Sequence, residues 1–203
     1  MDGPGSDNNL DFDSLKKLCR EISTARMKAH LGGEEVSFRE GKEDDIIDEN
    51  KNVGKWLSLI FVSSHVVKMG FQSNFTFDQC KHFTATALEK NAEDISKSQM
   101  EDFIKEFCNL TAGALKKGLE KEGFSSLISL PLLTRGQDDV FFKGHPADTG
   151  APLNYQDSWE ILYGESFITC NIFFEIYDKD NFSKIILGAF GAEDEEEGDI
   201  DFF

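Results

Sequence analysis

Residues 101–120 read EDFIKEFCNLTAGALKKGLE, and the fold turns on how that stretch is phased. At about 100° per residue, Phe103, Phe107, Leu110 and Ala114 share one sector of a helix, and Met100, Ile104, Leu115 and Gly118 widen it to one side. The spacing predicts a helix over Ser98–Lys121, with Ser98 as its cap and Glu101 in the first turn. Asp102, Glu106, Asn109 and Gly113 fall in another narrow sector, roughly opposite the apolar stripe. A glycine inside a helix costs about 1 kcal/mol relative to alanine. On an outward ridge no core packing compensates for it. What a missing side chain provides there is close approach by another molecule.

Working outward, Thr76–Glu89 places Phe77, Cys80, Phe83, Ala87 and Leu88 at helical spacing, and Asp11–Leu31 does the same with Leu15, Leu18, Cys19, Ile22 and Ala25. Asp13 or Ser14 can cap that first helix, and Gly32-Gly33 stops it. Trp56–Ser63 and His65–Phe71 are rich in β-branched and aromatic residues and read as strands. Ser126–Leu133, Trp159–Gly164, Ser166–Tyr177 and Lys184–Phe190 read likewise. Residues 34–52 form an acidic loop with a short strand at Val36–Phe38, and 143–156 a loop rich in Gly, Pro and Asp. "DKDN" at 178–181 lacks the glycine and glutamate of a calcium loop and reads as a hairpin turn. The order of elements gives an α+β fold, with helices packed on a mostly antiparallel sheet. The expected organisation is a disordered N-terminus at 1–10, one domain over 11–190, and an acidic, solvated tail at 191–203.

With 203 residues and 39% hydrophobic content, the chain can bury one real core, and its 19 phenylalanines make that core aromatic. A formal net charge of −17 argues against binding nucleic acid or an anionic membrane surface. The longest apolar run, WLSLIFVSSHVV, is too short to span a bilayer. The N-terminus has neither the basic nor the apolar region of a secretory signal. Cys19, Cys80, Cys108 and Cys170 stand far apart, as reduced, buried thiols of a cytoplasmic protein. The four histidines lack metal-ligand spacing, and no Walker loop, dinucleotide fingerprint or nucleophile elbow occurs.

An Asp-x3-Glu-x2-Asn spacing alone is weak, since exposed helical faces often carry such residues. It recurs at Asp45, Glu49 and Asn52, where no apolar stripe lies behind it. Its placement on the 98–121 helix is what distinguishes Asp102, Glu106 and Asn109. Residues 99–120 resemble the signature helix of the CheC/CheX/FliY chemotaxis phosphatases. Asp102, Glu106, Asn109 and Gly113 match that motif in register, and Pro131 in ISLPLL follows in the expected next strand. The helix at 76–89 has no second motif, so the resemblance is to the CheX type. The acidic loop, the acidic tail and the long loop at 136–158 depart from the family pattern.

The resemblance implies hydrolysis of the aspartyl phosphate of a CheY-like response regulator. Glu106 and Asn109 would be catalytic, and Asp102 and Gly113 partner-binding. It implies no cofactor of the chain's own, Mg²⁺ on the regulator, and a homodimer joined through the sheets. The rival expectation is a non-catalytic module of the same fold that docks a regulator or flagellar-switch protein. An amide suits the catalytic role, because its oxygen accepts from water and its NH2 donates, without charge to repel a phosphoryl group.

Overall fold

The computed structural model describes residues 10–40, 56–135 and 152–191. Helix α1 (Phe12–His30) leads to strand β1 (Ser37–Glu40), then β2 (Trp56–Ser63) and β3 (Val67–Phe75). Helices α2 (Phe77–Ala87) and α3 (Lys97–Lys121) follow. Strands β4 (Leu127–Ile128), β5 (Leu132–Arg135), β6 (Leu153–Tyr163) and β7 (Ser166–Ile176) precede a last helix, α4 (Lys179–Gly191). The sheet runs β1-β6-β7-β3-β2-β4, with β5 also on the outer edge of β2, and every pairing is antiparallel. The α+β expectation holds: helices pack on an antiparallel sheet.

Phasing decides which face the helices cover. Ser58, Ile60 and Val62 of β2 lie in register with Ser73, Phe71 and Met69 of β3. These in turn face Cys170, Ile172 and Phe174 of β7. Helix α3 lies against this face. Its Phe107 meets Phe71 edge-on at 5.7 Å, and Phe71 meets Trp159 at 6.2 Å. The indole of Trp159 is fully buried, and its N–H donates to Ser23 Oγ of α1 at 3.1 Å. Small side chains let α3 come close to the sheet: Cys108, Thr111 and Ala112 are buried, and Cys108 Sγ donates to Ser73 Oγ at 3.4 Å.

The buried set of α3 is Met100, Phe103, Ile104, Phe107, Cys108, Thr111, Ala112, Leu115 and Leu119. Leu110 and Ala114 are only half-buried. The stripe is therefore rotated toward Ile104 and Leu115, because α1 and α2 flank the helix while the sheet lies beneath it. That rotation makes Asp102, Glu106, Asn109 and Gly113 more nearly opposite the core than apolar periodicity alone indicates.

Several expectations need correction. Ser96, not Ser98, caps α3: its hydroxyl accepts from Gln99 N, and the Gln99 side chain returns the bond to the Ser96 amide. Asp11, rather than Asp13 or Ser14, caps α1, accepting from Ser14 N at 3.0 Å. Leu10, placed at the end of the N-terminal tail, is buried in the core. Lys184–Phe190 is not a strand but lies in α4. Asp178 accepts the Asn181 amide at 3.1 Å and starts a helix where a hairpin turn was expected. Phe182 and Ile185, three apart, then turn inward together, Phe182 meeting Phe174 at 5.8 Å. Burial at helical spacing overrides the β-branched and aromatic composition that suggested a strand. Strand β6 begins at Leu153, inside the stretch read as a loop, and β3 continues to Phe75. The Ser126–Leu133 strand is split at Pro131, which has no N–H to donate. Ser129 bridges the break, donating N–H to Phe61 O at 2.9 Å and accepting Phe61 N on its hydroxyl at 3.0 Å. The acidic stretch at 41–52, with the Asp45–Glu49–Asn52 copy, and the tail beyond Ala192 lie outside the described residues.

One polar pair ties α1 to the β1–β6 edge of the sheet. Arg20 grips Asp157 with two parallel hydrogen bonds of 2.9 Å, and both residues are buried. Its remaining nitrogen reaches Glu40 at the end of β1, also at 2.9 Å.

Candidate functional site

A capped helix of 25 residues, packed along one side, is a rigid base for side chains on its other side. Asp102, Glu106 and Asn109 are exposed in succession along α3, and Gly113 is half-buried. A Cβ placed on Gly113 would meet nothing within 4 Å, so the glycine is not required by internal packing. Among the described residues, the side chains of Asp102, Glu106 and Asn109 make no hydrogen bond or ion pair with the rest of the chain. The charged pairs of this helix, Lys97–Glu101 at 3.5 Å and Lys116–Glu120 at 2.7 Å, leave the two ridge acids uncompensated. The four residues singled out from sequence thus share one outward line.

Beside the ridge is a groove of about 540 Å³, where the C-terminal ends of α1 and α2 meet the first half of α3. Ala29, His30 and Gly32 line it at the end of α1, Ala87 and Leu88 at the end of α2, and Asp102, Phe103 and Glu106 from α3. The His30 ring stacks on Phe103 at 4.4 Å, with Nε2 3.3 Å from the Phe103 carbonyl oxygen. Burial pushes the His30 imidazole below its ordinary pKa, against the opposing pull of the Phe103 carbonyl and Glu106. Leu88 is 42% exposed at the groove. Sequence reasoning missed His30 and Leu88. The one available signal was their position in the closing turns of two helices, and nothing local says that those two ends converge.

The cysteines hold no comparable arrangement. All four are free and buried, and burial pushes the Cys108 thiol up to about 11 and the Cys80 thiol to about 12. No described helix is long and apolar enough to cross a membrane.

No family model matches the chain, and no curated protein does. Solved structures do. A chain of the CheX–CheY–BeF3–Mg²⁺ complex from Borrelia burgdorferi superposes with a TM-score of 0.57 at 11% identity, covering 82% of this chain and 99% of that one. A CheC-like superfamily protein from Shewanella sp. PV-4 gives 0.55 at 16% identity, covering 80% and 97%. CheX from Vibrio vulnificus gives 0.53 at 15% identity, covering 78% and 99%. The fold is that of the CheX and CheC-like chemotaxis proteins, the set to which the 99–120 helix pointed. A chain of the FliM–SpeE complex from H. pylori has the same architecture, with a TM-score of 0.51 at 9% identity and 93% of this chain covered.

Proposed function

We propose that this chain is a response-regulator phosphatase, which hydrolyses the aspartyl phosphate of a CheY-like regulator in chemotaxis or related two-component signalling. The observation that carries this reading is the free amide of Asn109. It stands exposed and unpartnered on a rigid helix, one turn from the equally free carboxylate of Glu106, on a fold that also occurs in a complex with CheY. The chain acts on a docked partner, since Asn109 stands exposed on the helix and does not line the groove beside it.

In this reading the regulator's phosphoryl group comes to rest against Asn109. The amide oxygen accepts a hydrogen bond from the attacking water and the NH2 group donates one, so the water is aligned with the phosphorus. Its oxygen bonds to phosphorus as the bond to the aspartyl oxygen breaks, and a carboxylate and inorganic phosphate leave. The transition state is loose, so positioning outweighs early removal of a proton, and a neutral group does this without repelling the phosphoryl oxygens. Mg²⁺ held by the regulator supplies charge neutralisation, and the chain needs no cofactor of its own. Glu106 pairs with a lysine of the regulator near the phosphoryl group and fixes the register of the two proteins. Asp102 extends the polar line, and Gly113 leaves room for the partner's surface.

A second copy completes the assembly. The β4–β5 edge exposes Leu127 (79%), Leu130 (89%) and Leu132 (52%), an apolar sheet edge of the kind that isolated chains keep short or charged. Pairing of two such edges buries these leucines about a two-fold axis. With its four free cysteines, the protein belongs in a reducing, cytoplasmic compartment.

The likeness to a FliM-containing structure keeps a second reading, a module that docks a regulator or switch protein without hydrolysis. Decay of a phosphorylated CheY-like regulator with and without the protein separates the two. Faster decay supports the phosphatase, and binding with unchanged decay supports the docking module. Glu106→Lys should weaken binding by setting like charges together.

A further inference from the structure

We propose that the groove between the ends of α1 and α2 and the first half of α3 takes a long basic side chain, Arg or Lys, of the regulator. This is a second anchor, separate from the lysine beside the phosphoryl group, and it sets which regulators dock. It rests on the reading of the chain as a regulator phosphatase.

The occupant follows from the lining. Asp102 contributes a carboxylate with no cation among the described residues to pair with, and Glu106, assigned above to the lysine beside the phosphoryl group, adds negative charge at the groove's edge. The C-terminal ends of two helices, of 19 and 11 residues, also meet here, and a helix C-terminus carries partial negative charge. Both sources favour a cation. Of the other lining residues, Ala29, Ala87, Leu88 and Phe103 are apolar and fit the methylene stem of such a side chain while its head meets the acids, and Gln99 adds a neutral polar group. An apolar occupant would bury the carboxylates unpaired, and an anion would be repelled. A metal ion is not supported, because no three ligating side chains converge among the described residues. His30, held neutral near pH 7 by its burial, does not oppose an incoming cation.

The test uses the full chain and two small probes, Nα-acetyl-arginine amide and Nα-acetyl-norleucine amide. They share an aliphatic stem, and only the first carries charge. Methyl and imidazole NMR signals of Leu88 and His30 are followed through each titration at low ionic strength and pH 7.5. The proposal expects a saturable shift with the arginine probe, several-fold weaker or absent with norleucine, and lost in the Asp102→Asn/Glu106→Gln double variant. Equal shifts with both probes, no shift with arginine, or an unchanged arginine shift in the folded double variant would overturn it. A second arm measures regulator dephosphorylation by Leu88→Gln. The expected result is a KM raised several-fold with kcat retained, and a kcat loss at unchanged KM would contradict it. The first arm needs no phosphatase activity. An arginine shift with no regulator turnover by wild-type protein would leave the cation site standing and remove the phosphatase reading.

Discussion

Replacing Gly113 separates contact from folding. The position lies mid-helix on the outward ridge, with open space where a Cβ would stand. Alanine there should gain about 1 kcal/mol from helix propensity, with no clash to offset it. For a domain of this size, that raises the thermal midpoint by about 2–4 °C. Leucine has nearly the same propensity and projects into solvent, so Gly113→Leu should also match or exceed wild-type stability. Its side chain, however, stands one helical turn from Asn109 and would hold a docking partner off. Stability and activity should therefore move in opposite directions, which a merely structural glycine cannot do. Gly118 is the control, since a Cβ there also meets nothing within 4 Å and the residue lies on the other side of the helix. Gly118→Ala should stabilise similarly and leave activity unchanged. The assays are urea midpoints and rates of regulator dephosphorylation. Unfolding of Gly113→Leu would refute the assignment of an open ridge. A stable, fully active Gly113→Leu would remove the glycine from the contact.

Asp157→Ala should cost about 3–5 kcal/mol in urea unfolding, because it leaves the buried Arg20 with only the exposed Glu40 as a partner; a loss under about 1 kcal/mol would mean the pair contributes little. Because the folded His30 pKa lies below its ordinary 6.5, its contribution to stability should be complete above about pH 6.5 and lost as pH falls through the folded pKa. Urea unfolding of wild type and His30→Gln at pH 7.5 and 5.5 should show the difference shrinking on acidification, and a constant difference would contradict the burial effect. Leu130→Arg should leave unfolding within about 0.5 kcal/mol of wild type while converting a dimer to monomer in sedimentation, and an unchanged oligomer would exclude that edge.

The helix of 97–121 was legible because its apolar and polar positions obey one period over about seven turns, and the ridge followed from the same arithmetic. Strand β2 was legible from a short apolar run rich in β-branched and aromatic residues. Helix α4 was not: Phe182 and Ile185 suit either element in composition, and only their joint burial at helical spacing, with Phe182 against Phe174, selects the helix. The Arg20–Asp157 grip joins residues 137 positions apart, and no local pattern announces it. The groove was hidden for the same reason, since His30, Leu88 and Asp102 come from three separate helices or their ends. Gly113 could be read because its cost is local and its lack of an internal purpose was apparent from helical phase.

The most direct test of the central claim is decay of a phosphorylated CheY-like regulator under single-turnover conditions, with saturating wild-type or Asn109→Ala protein. The account predicts acceleration by the wild type and a loss of at least ~100-fold in the variant, or roughly 2.7 kcal/mol of transition-state stabilisation, with binding to the regulator retained. Near-wild-type acceleration by a folded Asn109→Ala protein, or none by the wild type despite binding, would contradict it.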